Sequence, residues 1–283
     1  MKKFSRFFLF ILLAAFSGVL FGQSAPVLKR VTYKTDKLDF GSGGTLAVIG
    51  SPLGSVSVEG WQRNEIEISA TIEVQAHSEA DLTRLSGLTG FVLEESLGRT
   101  GIITTGTHDK RIAKQLGKKL AKTLAGMPFR VDYVIKVPRY CDLQIDGGKG
   151  AVSISGVEGT HKINFLESDA AFALVGGSIL ATIGKGTVSL SVPARGWRGR
   201  FAEVQLATGT MDVKLPAGLN AELDATILRT GKIENSLEGL TPRTRKGEFS
   251  DKSIVAKSGA GGIPLKFTVG DGTLKLSRSD GSN

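Results

Sequence analysis

The chain has 283 residues, of which 41% are hydrophobic and 22% are charged. This composition excludes disorder over most of the length and is sufficient for a sizeable core in one or two domains. There are 37 glycines, about 13% of the chain, but only 7% of the residues are aromatic. Glycine is therefore about twice as frequent as in an average protein, which indicates many turns between short strands.

The segment 1–24 has the pattern of a secretory signal peptide. Residues 1–6 carry three positive charges, residues 7–21 carry none, and small residues follow at Gly22, Ser24 and Ala25. The uncharged run is shorter than the roughly 20 residues that span a bilayer. We therefore predict cleavage and export to the periplasm or the extracellular cell surface, with no transmembrane span in the mature chain. Loss of residues 1–22 would lower the formal charge from +9 to +6, and an exported protein has no expected nucleic-acid partner.

Cys141 is the only cysteine of the chain. A single cysteine cannot form an intramolecular disulfide, so the fold must be stable without such a bond. Cys141 precedes an alternating stretch of apolar and polar residues, and we predict that it is a buried small hydrophobic residue.

Alternating apolar and polar residues predict several half-buried strands in the first half of the chain. The pattern is clearest from Ile66 to Val74, where every second residue is apolar. Together, the alternating stretches predict strands within the ranges 45–74, 91–95, 102–105 and 129–137.

Two helices are predicted among these strands. Ser78 is a favourable N-cap residue and predicts a short helix over 79–88. Apolar residues recur at every fourth position over 109–125, which is the pattern of an amphipathic helix. They are Ile112, Leu116, Leu120 and Leu124.

The second predicted helix is strongly basic and is a candidate binding surface. Its cations include Lys114, Lys118, Lys119 and Lys122. In one interpretation the apolar stripe packs on the strands and the lysines are solvated. In the other, the helix docks on an anionic polymer or on lipid headgroups. The apolar stripe cannot serve both purposes without rearrangement.

A nine-residue repeat begins at Gly150 and is the most informative pattern of the sequence. Its five units begin at Gly150, Gly159, Ser168, Gly177 and Gly186. The third, fifth and seventh positions are mostly apolar and are predicted to point inward, whereas the fourth and sixth are predicted to point outward. Glycine at the first position permits the positive φ of a tight corner.

The same glycine-centred pattern returns at Gly209, Gly231 and Gly272, at wider spacings. A fixed period is typical of stacked repeats, because one strand alone cannot bury its inward face. We predict an all-β fold: a β-solenoid or β-helix-like stack of short, glycine-punctuated strands, with coils of about 18 residues and one inserted amphipathic helix. An antiparallel meander or sandwich is the alternative. The predicted regions are 25–145, a β region with both helices, and 146–283, the repeat region continuous with it.

Several segments resemble a known family when they are taken in order. They are Gly-Ser-Val-Ser-Val-Glu-Gly-Trp at 54–61, Asn-Glu-Ile-Glu-Ile-Ser-Ala at 64–70, Val-Ile-Lys-Val-Pro-Arg-Tyr-Cys-Asp-Leu-Gln-Ile at 134–145, the glycine repeats, and Val-Lys-Leu-Pro-Ala-Gly-Leu-Asn-Ala-Glu-Leu at 213–223. Over about residues 40–280 the sequence resembles the bacterial "putative adhesin" family of exported and envelope proteins, a domain of unknown function. The resemblance implies a strand-rich, solenoid-like fold without established catalytic residues.

A cluster of arginines around a tryptophan is the second candidate binding site. It consists of Arg195, Trp197, Arg198 and Arg200. The indole could stack on a sugar ring while the arginines hold an anionic group. The alternative is a loop in which Trp197 covers the side of the stack.

The sequence contains none of the common motifs for catalysis, phosphate binding or metal binding, and we predict no cofactor and no metal. The predicted function is a non-enzymatic, adhesin-like protein whose surface binds an anionic envelope polymer, a lipid headgroup or a protein. A structural protein that self-associates through strand edges is the first alternative. The second is a polysaccharide-cleaving β-helix enzyme that uses paired carboxylates. Its candidates are Asp142, Asp146, Glu158 and Glu167.

Overall fold

The computed structural model describes residues 27–117, 122–193, 197–244 and 247–279. The predicted signal peptide, residues 1–24, lies outside these ranges. Strands make up 67% of the structure and helices 8%, which confirms the predicted all-β class.

The strands and helices are defined as follows. The first nine strands are β1 (Leu28–Asp39), β2 (Thr45–Leu53), β3 (Val56–Trp61), β4 (Glu65–Ala76), β5 (Gly90–Ser96), β6 (Arg99–Thr105), β7 (Phe129–Pro138), β8 (Asp142–Lys149) and β9 (Val152–Ser155). The next eight are β10 (Gly159–Ala173), β11 (Gly176–Ser191), β12 (Arg198–Leu215), β13 (Ala221–Ile227), β14 (Gly231–Asn235), β15 (Leu240–Pro242), β16 (Ser253–Ser258) and β17 (Ile263–Arg278). Helices α1 (Glu79–Leu88) and α2 (Lys110–Leu116) lie between β4 and β7.

All 17 strands belong to one sheet, which does not close on itself. In the repeat region the strands are parallel, and His161 on β10 lies between Leu143 on β8 and Ile179 on β11. The register offset therefore equals two units of the repeat. Each unit lies beside the unit two places along the chain, and the antiparallel alternative is wrong for these strands.

Parallel pairing runs in two rows that share four long strands. The first row follows the order β6–β2–β8–β10–β11–β12–β17–β13 and uses the first halves of the long strands. The second row follows the order β7–β3–β9–β10–β11–β12–β17–β14 and uses their second halves. β8 pairs with β2 on one side and with β10 on the other. One sheet therefore contains the strands on both sides of the predicted boundary between residues 145 and 146.

The prediction of short strands is wrong for these four elements. β10, β11, β12 and β17 contain 15, 16, 18 and 16 residues. In β11, β12 and β17 the physical reason is the glycine at the corner between the two rows, whereas β10 has Ser168 at this position. Gly186, Gly209 and Gly272 lie opposite one another with φ of 133°, 141° and 141°. Glycine tolerates this conformation, so each strand passes from one row to the next while its ladder of backbone hydrogen bonds continues.

The core lies along the inward positions of both rows, as the repeat predicts. Ile179, Ala181 and Ile183 of the fourth unit are 0% exposed, and Val188 and Leu190 of the fifth are at most 2% exposed. Cys141 is also buried, and burial raises the pKa of its thiol to about 12. The prediction that it acts as a small hydrophobic residue is confirmed.

Helix α1 is confirmed with its predicted bounds. The Ser78 hydroxyl accepts a hydrogen bond from the backbone N–H of Asp81 at 3.1 Å, which is the expected N-cap contact. Leu82 and Leu85 are the buried residues of its inner face.

The second helix is shorter than predicted. α2 ends at Leu116 because Gly117 has φ 76° and ψ 153°, which no helix continues through. Residues 118–121 lie outside the described ranges, and 122–124 form a helical turn in which Leu124 is buried. A continuous helix over 109–125 is therefore wrong.

Antiparallel strands extend the sheet in the N-terminal region. β1 pairs with β4 over its full length, β4 with β7, and β5 with β6. β1 was not predicted, because its charged residues interrupt the alternation of apolar and polar side chains. No helix within the described ranges is long and apolar enough to cross a membrane.

Candidate functional site

A column of polar side chains crosses six parallel strands on the outer side of the first row. Its members face each other in register on β8, β10, β11, β12, β17 and β13. We call this column the polar ladder: Asp146, Asn164, Thr182, Gln205, Thr268 and Thr226. Adjacent strands lie about 4.8 Å apart, so the polar ladder extends over roughly 24 Å.

The sequence places these side chains outward because each follows and precedes an inward residue. Asn164 lies between Ile163 and Phe165, which are 0% and 4% exposed. Asn164 itself is exposed, as are Thr182 and Gln205. Strand residues alternate between the two sides of a sheet, so an apolar core on one side fixes a polar column on the other.

Hydrogen bonds orient part of the polar ladder. Asn164 Nδ2 donates to Asp146 Oδ1 at 2.7 Å, and Gln205 Nε2 donates to Glu203 Oε1 at 3.0 Å. Each amide has a second N–H and a carbonyl oxygen, and each threonine hydroxyl can donate and accept. The ladder therefore presents both donors and acceptors to a ligand above it.

Two ion pairs lie beside the polar ladder. Lys266 Nζ lies 3.1 Å from Glu203 Oε1, and this hydrogen bond is the main reason that the pKa of Glu203 is lowered. On the next strand, Asp224 Oδ2 lies 3.9 Å from a guanidinium nitrogen of Arg243. These two ion pairs neutralise charges on β12, β17 and β13, whereas Lys162 on β10 is exposed and lies two residues before Asn164.

An open groove with a volume of about 510 Å³ adjoins the first rungs of the polar ladder. Glycines from three elements line it: Gly50, Gly147, Gly148 and Gly184. At Gly147, Gly148 and Gly184 the space of a side chain is filled by the Phe165 ring and by the carbonyl groups of Pro52 and Leu166, so these glycines allow close packing in the wall of the groove. Leu166, which is 72% exposed, and His108 also line the groove. The His108 ring stacks on Phe129 with a centroid distance of 5.5 Å.

The chemistry of this surface is hydrogen bonding through side chains. Within the described ranges, no group of three or more His, Cys, Asp or Glu side chains could hold a metal ion. Five of the six ladder residues are uncharged. The arrangement suits a ligand rich in hydroxyl groups that lies across the strands.

The predicted arginine–tryptophan cluster lies at the start of β12. The half-buried Trp197 ring lies over the β12 backbone, since a Cβ on Gly199 would be 2.0 Å from its Cζ2. Arg198 and Arg200 are exposed, and Arg200 donates to Thr160 Oγ1 at 3.0 Å. Arg195 lies outside the described ranges. Ligand binding by this cluster stays a prediction.

The basic residues of the second predicted helix are only partly described. Lys114 on α2 and Lys122 in the following turn are exposed, whereas Lys118 and Lys119 lie outside the described ranges. Docking of these lysines on an anionic surface also stays a prediction.

The four candidate carboxylates are not paired with one another. Asp142 Oδ1 accepts from the Thr160 N–H at 2.6 Å, and Glu167 lies 3.0 Å from Lys149 Nζ. Glu158 lies against Gly176 and Glu167 beside Lys185. The equal repeat position of Glu158 and Glu167 does not bring them together, because a unit stacks on the second unit along the chain and not on the next one.

Sequence analysis missed the polar ladder and the groove. The ladder residues on β12, β17 and β13 belong to segments whose spacing departs from the nine-residue repeat. In the sheet, β17 lies between β12 and β13, which is not their order in the chain. The signal that was available is the outward fourth and sixth positions of the repeat, which include Asn164 and Thr182.

Comparison with known proteins gives distant structural similarities. A "putative cell adhesion protein" from Clostridium sporogenes is 13% identical, with a TM-score of 0.49 over 88% of this chain and 100% of its own. A "putative adhesin" from Bacteroides fragilis is 9% identical, with a TM-score of 0.33 over 87% and 97%. A "putative lipid binding protein" from Parabacteroides distasonis is 12% identical, with a TM-score of 0.22 over 88% and 97%.

No protein-family model matches the chain, and no curated protein sequence matches it. The specific family suggested by the sequence motifs is therefore not supported by a family model. At these identities and TM-scores, the similarities do not indicate a ligand for this chain.

Proposed function

We propose that this is an exported, non-enzymatic binding protein that holds an uncharged polysaccharide of the cell envelope along the polar ladder. The observation that carries the proposal is the alignment of six polar side chains across six parallel strands. A polymer of similar sugar units can meet one ladder residue on each strand. Repeated hydroxyl groups can donate to and accept from the repeated amides and threonines.

The β-solenoid architecture is part of this proposal. The register offset of two repeat units and the two parallel rows support it, because each coil then contributes one strand segment to each row. Each additional coil in such a stack would lengthen the binding surface. Such extended surfaces are how repeat proteins bind long ligands.

A non-catalytic role is favoured by the partners of the four candidate carboxylates. Asp142 and Asp146 accept hydrogen bonds from Thr160 and Asn164. The hydrogen bond from Lys149 lowers the pKa of Glu167, which opposes a role as general acid. Glycoside cleavage uses a pair of carboxylates that face a common space, whereas these carboxylates have partners of other residue types.

The experiment is co-sedimentation of the purified protein with insoluble, uncharged polysaccharides at low and high salt. Its key variant replaces Thr182, Gln205 and Thr268 with alanine. We expect at least a tenfold loss of affinity, because each hydrogen bond contributes about 1 kcal/mol. Binding should change little with salt, since the ladder contacts are uncharged.

The matched control replaces Thr187, Thr210 and Thr273 with alanine. These residues form an equivalent column on the same three strands but in the second row, so the control should retain affinity. A third variant replaces Lys114, Lys118, Lys119 and Lys122 with glutamate. Salt-sensitive binding that is lost only in the lysine variant would contradict the ladder and would favour the basic segment as the docking surface.

A further inference from the structure

A second cavity lies at the C-terminal end of the sheet, away from the polar ladder. It has a volume of about 440 Å³, within the range of small-ligand sites. Its walls include the loop after β12, the segment between β14 and β15, and inward residues of β13 and β17. It forms here because β13 and β14 are short and the chain crosses the end of the stack in irregular segments.

The lining of this cavity is aliphatic. Six leucines contribute to it: Leu215, Leu219, Leu223, Leu237, Leu240 and Leu265. No aromatic residue is among the lining residues. Leu223 and Leu265 are 1% exposed and belong to the core, whereas Leu219, Leu237 and Leu240 are half-buried and face the opening. A flexible aliphatic chain suits such a lining better than a flat ring system does.

The segment that covers the cavity is fixed at both ends. At one end, the Ser236 N–H donates to the carbonyl oxygen of Leu276 at 2.8 Å. At the other end, Leu240 pairs with Ser258 in the ladder between β15 and β16. Between these anchors Gly239 has φ 74°, which turns the chain over the cavity. The cavity is therefore a built feature of the fold with a defined wall.

Two charged residues line the cavity, and neither forms an ion pair with a described residue. Arg278 ends β17, and Glu238 lies in the covering segment; both are exposed. A guanidinium binds carboxylate and phosphate groups through parallel N–H donors. Glu238 repels the same groups, so an anionic headgroup is expected on the side of Arg278.

We propose that this cavity binds a single-chain anionic amphiphile, with its aliphatic chain among the leucines and its headgroup at Arg278. The site is separate from the polar ladder and does not depend on polysaccharide binding. The proposal commits to a free amphiphile of the fatty-acid type, and a chain that belongs to a bilayer lipid is distinguished in the experiment.

The experiment is calorimetric titration of the protein with octanoate, decanoate and laurate below their micelle concentrations. Affinity should rise roughly fourfold for each added methylene until the cavity is filled, as burial of a methylene predicts. Dodecyltrimethylammonium, which carries the same chain with a cationic head, should bind at least tenfold more weakly than laurate. Phosphatidylglycerol vesicles should not compete with laurate.

Two variants, each of which replaces one charged side chain with glutamine, locate the headgroup. Arg278→Gln should weaken laurate binding at least tenfold, whereas Glu238→Gln should leave it unchanged or strengthen it. Leu219→Ser combined with Leu237→Ser should abolish the gain with chain length, and both side chains lie in loops and not in the packed core.

Three results would overturn the proposal. They are affinity that does not change with chain length, equal binding of the anionic and cationic twelve-carbon amphiphiles, and full retention of affinity in Arg278→Gln. Competition by the vesicles would replace the free amphiphile with a membrane lipid as the source of the chain. These readouts use the wild-type protein as well as variants, so misfolding of a variant leaves the test decisive.

Discussion

The parallel stack and the antiparallel N-terminal region specify their structures in different ways. In the N-terminal region, local signals mark the elements: Ser78 caps α1, and alternating residues predict β4 and β7, although these two strands pair from distant parts of the chain. In the stack, each residue depends on residues at least two repeat units away. Gly209, for example, lies against Gly186 on one side and Gly272 on the other.

This difference indicates which positions of the stack are most sensitive to substitution. The helix cap can be weakened without affecting the strands, because Ser78 and its hydrogen-bond partner Asp81 are three residues apart. A corner position of the stack cannot change alone, since the space for its side chain is occupied by the backbone of the next coil. Three sets of substitutions test this contrast.

The largest effect is expected for Gly209→Ala. A Cβ at this position would lie 1.8 Å from the carbonyl oxygen of Gly186, and φ is 141°. Steric overlap and backbone strain should lower the free energy of unfolding by about 3 kcal/mol or more. Urea denaturation measures this loss. Gly41→Ala is the control, because no heavy atom lies within 4 Å of the position that its Cβ would take. A loss below about 1 kcal/mol for Gly209→Ala would contradict the corner argument.

The next effect concerns His161, which is 1% exposed and whose two ring nitrogens have no hydrogen-bond partner among the described residues. Burial lowers its pKa to about 4, although the nearby Asp142 charge acts in the opposite direction. Between pH 6.5 and pH 4 the unfolded chain binds a proton that the folded chain does not. Stability should therefore fall as the pH falls through this window, by up to about 3 kcal/mol.

His161→Leu tests this expectation by denaturation at pH 7 and pH 4. Leucine occupies the equivalent position on β8, at Leu143, and leaves no buried nitrogen without a partner. The variant should be at least as stable as the wild type at pH 7 and should lose this part of the pH dependence. The exposed His77 provides the control, since His77→Gln should retain the pH dependence. An unchanged pH profile in His161→Leu would refute the assignment.

The smallest effect is expected in the N-terminal region. Ser78→Ala removes the N-cap hydrogen bond to Asp81 and should cost about 1 kcal/mol of stability. Ser86→Ala, inside α1, should cost nothing, because alanine has the higher helix propensity. Thermal denaturation of both variants measures the difference. An equal loss in the two variants would mean that the cap is not what starts this helix.

Much of the fold could be predicted because its signals are periodic. The inward positions of the repeat, the buried Cys141 and the bounds of α1 are all confirmed. Two predictions failed where a single glycine decided the outcome. Gly117 ends α2 early, and the corner glycines join two units into one long strand. A sequence pattern indicates that glycine permits an unusual φ but not which φ it adopts.

The candidate sites were harder to predict than the fold. One candidate site was predicted because its residues are close together in the sequence: Arg195, Trp197, Arg198 and Arg200. Trp197, however, lies over the β12 backbone. The polar ladder and the leucine-lined cavity consist of residues that are far apart in the chain, and each residue alone is of an ordinary type for its position.

The strand class, the alternation of inward and outward residues and the places where the chain can turn follow from the amino-acid sequence alone. These features depend on the period of the backbone and on the missing side chain of glycine, both of which are local properties. Which strands are neighbours is seen only in the tertiary structure. β17 lies between β12 and β13, and Gly272 joins Gly209 and Gly231 in one column although all three are distant in the chain. Parallel pairing depends on which distant strands complete one another's hydrogen bonds and core, and no local pattern encodes that choice.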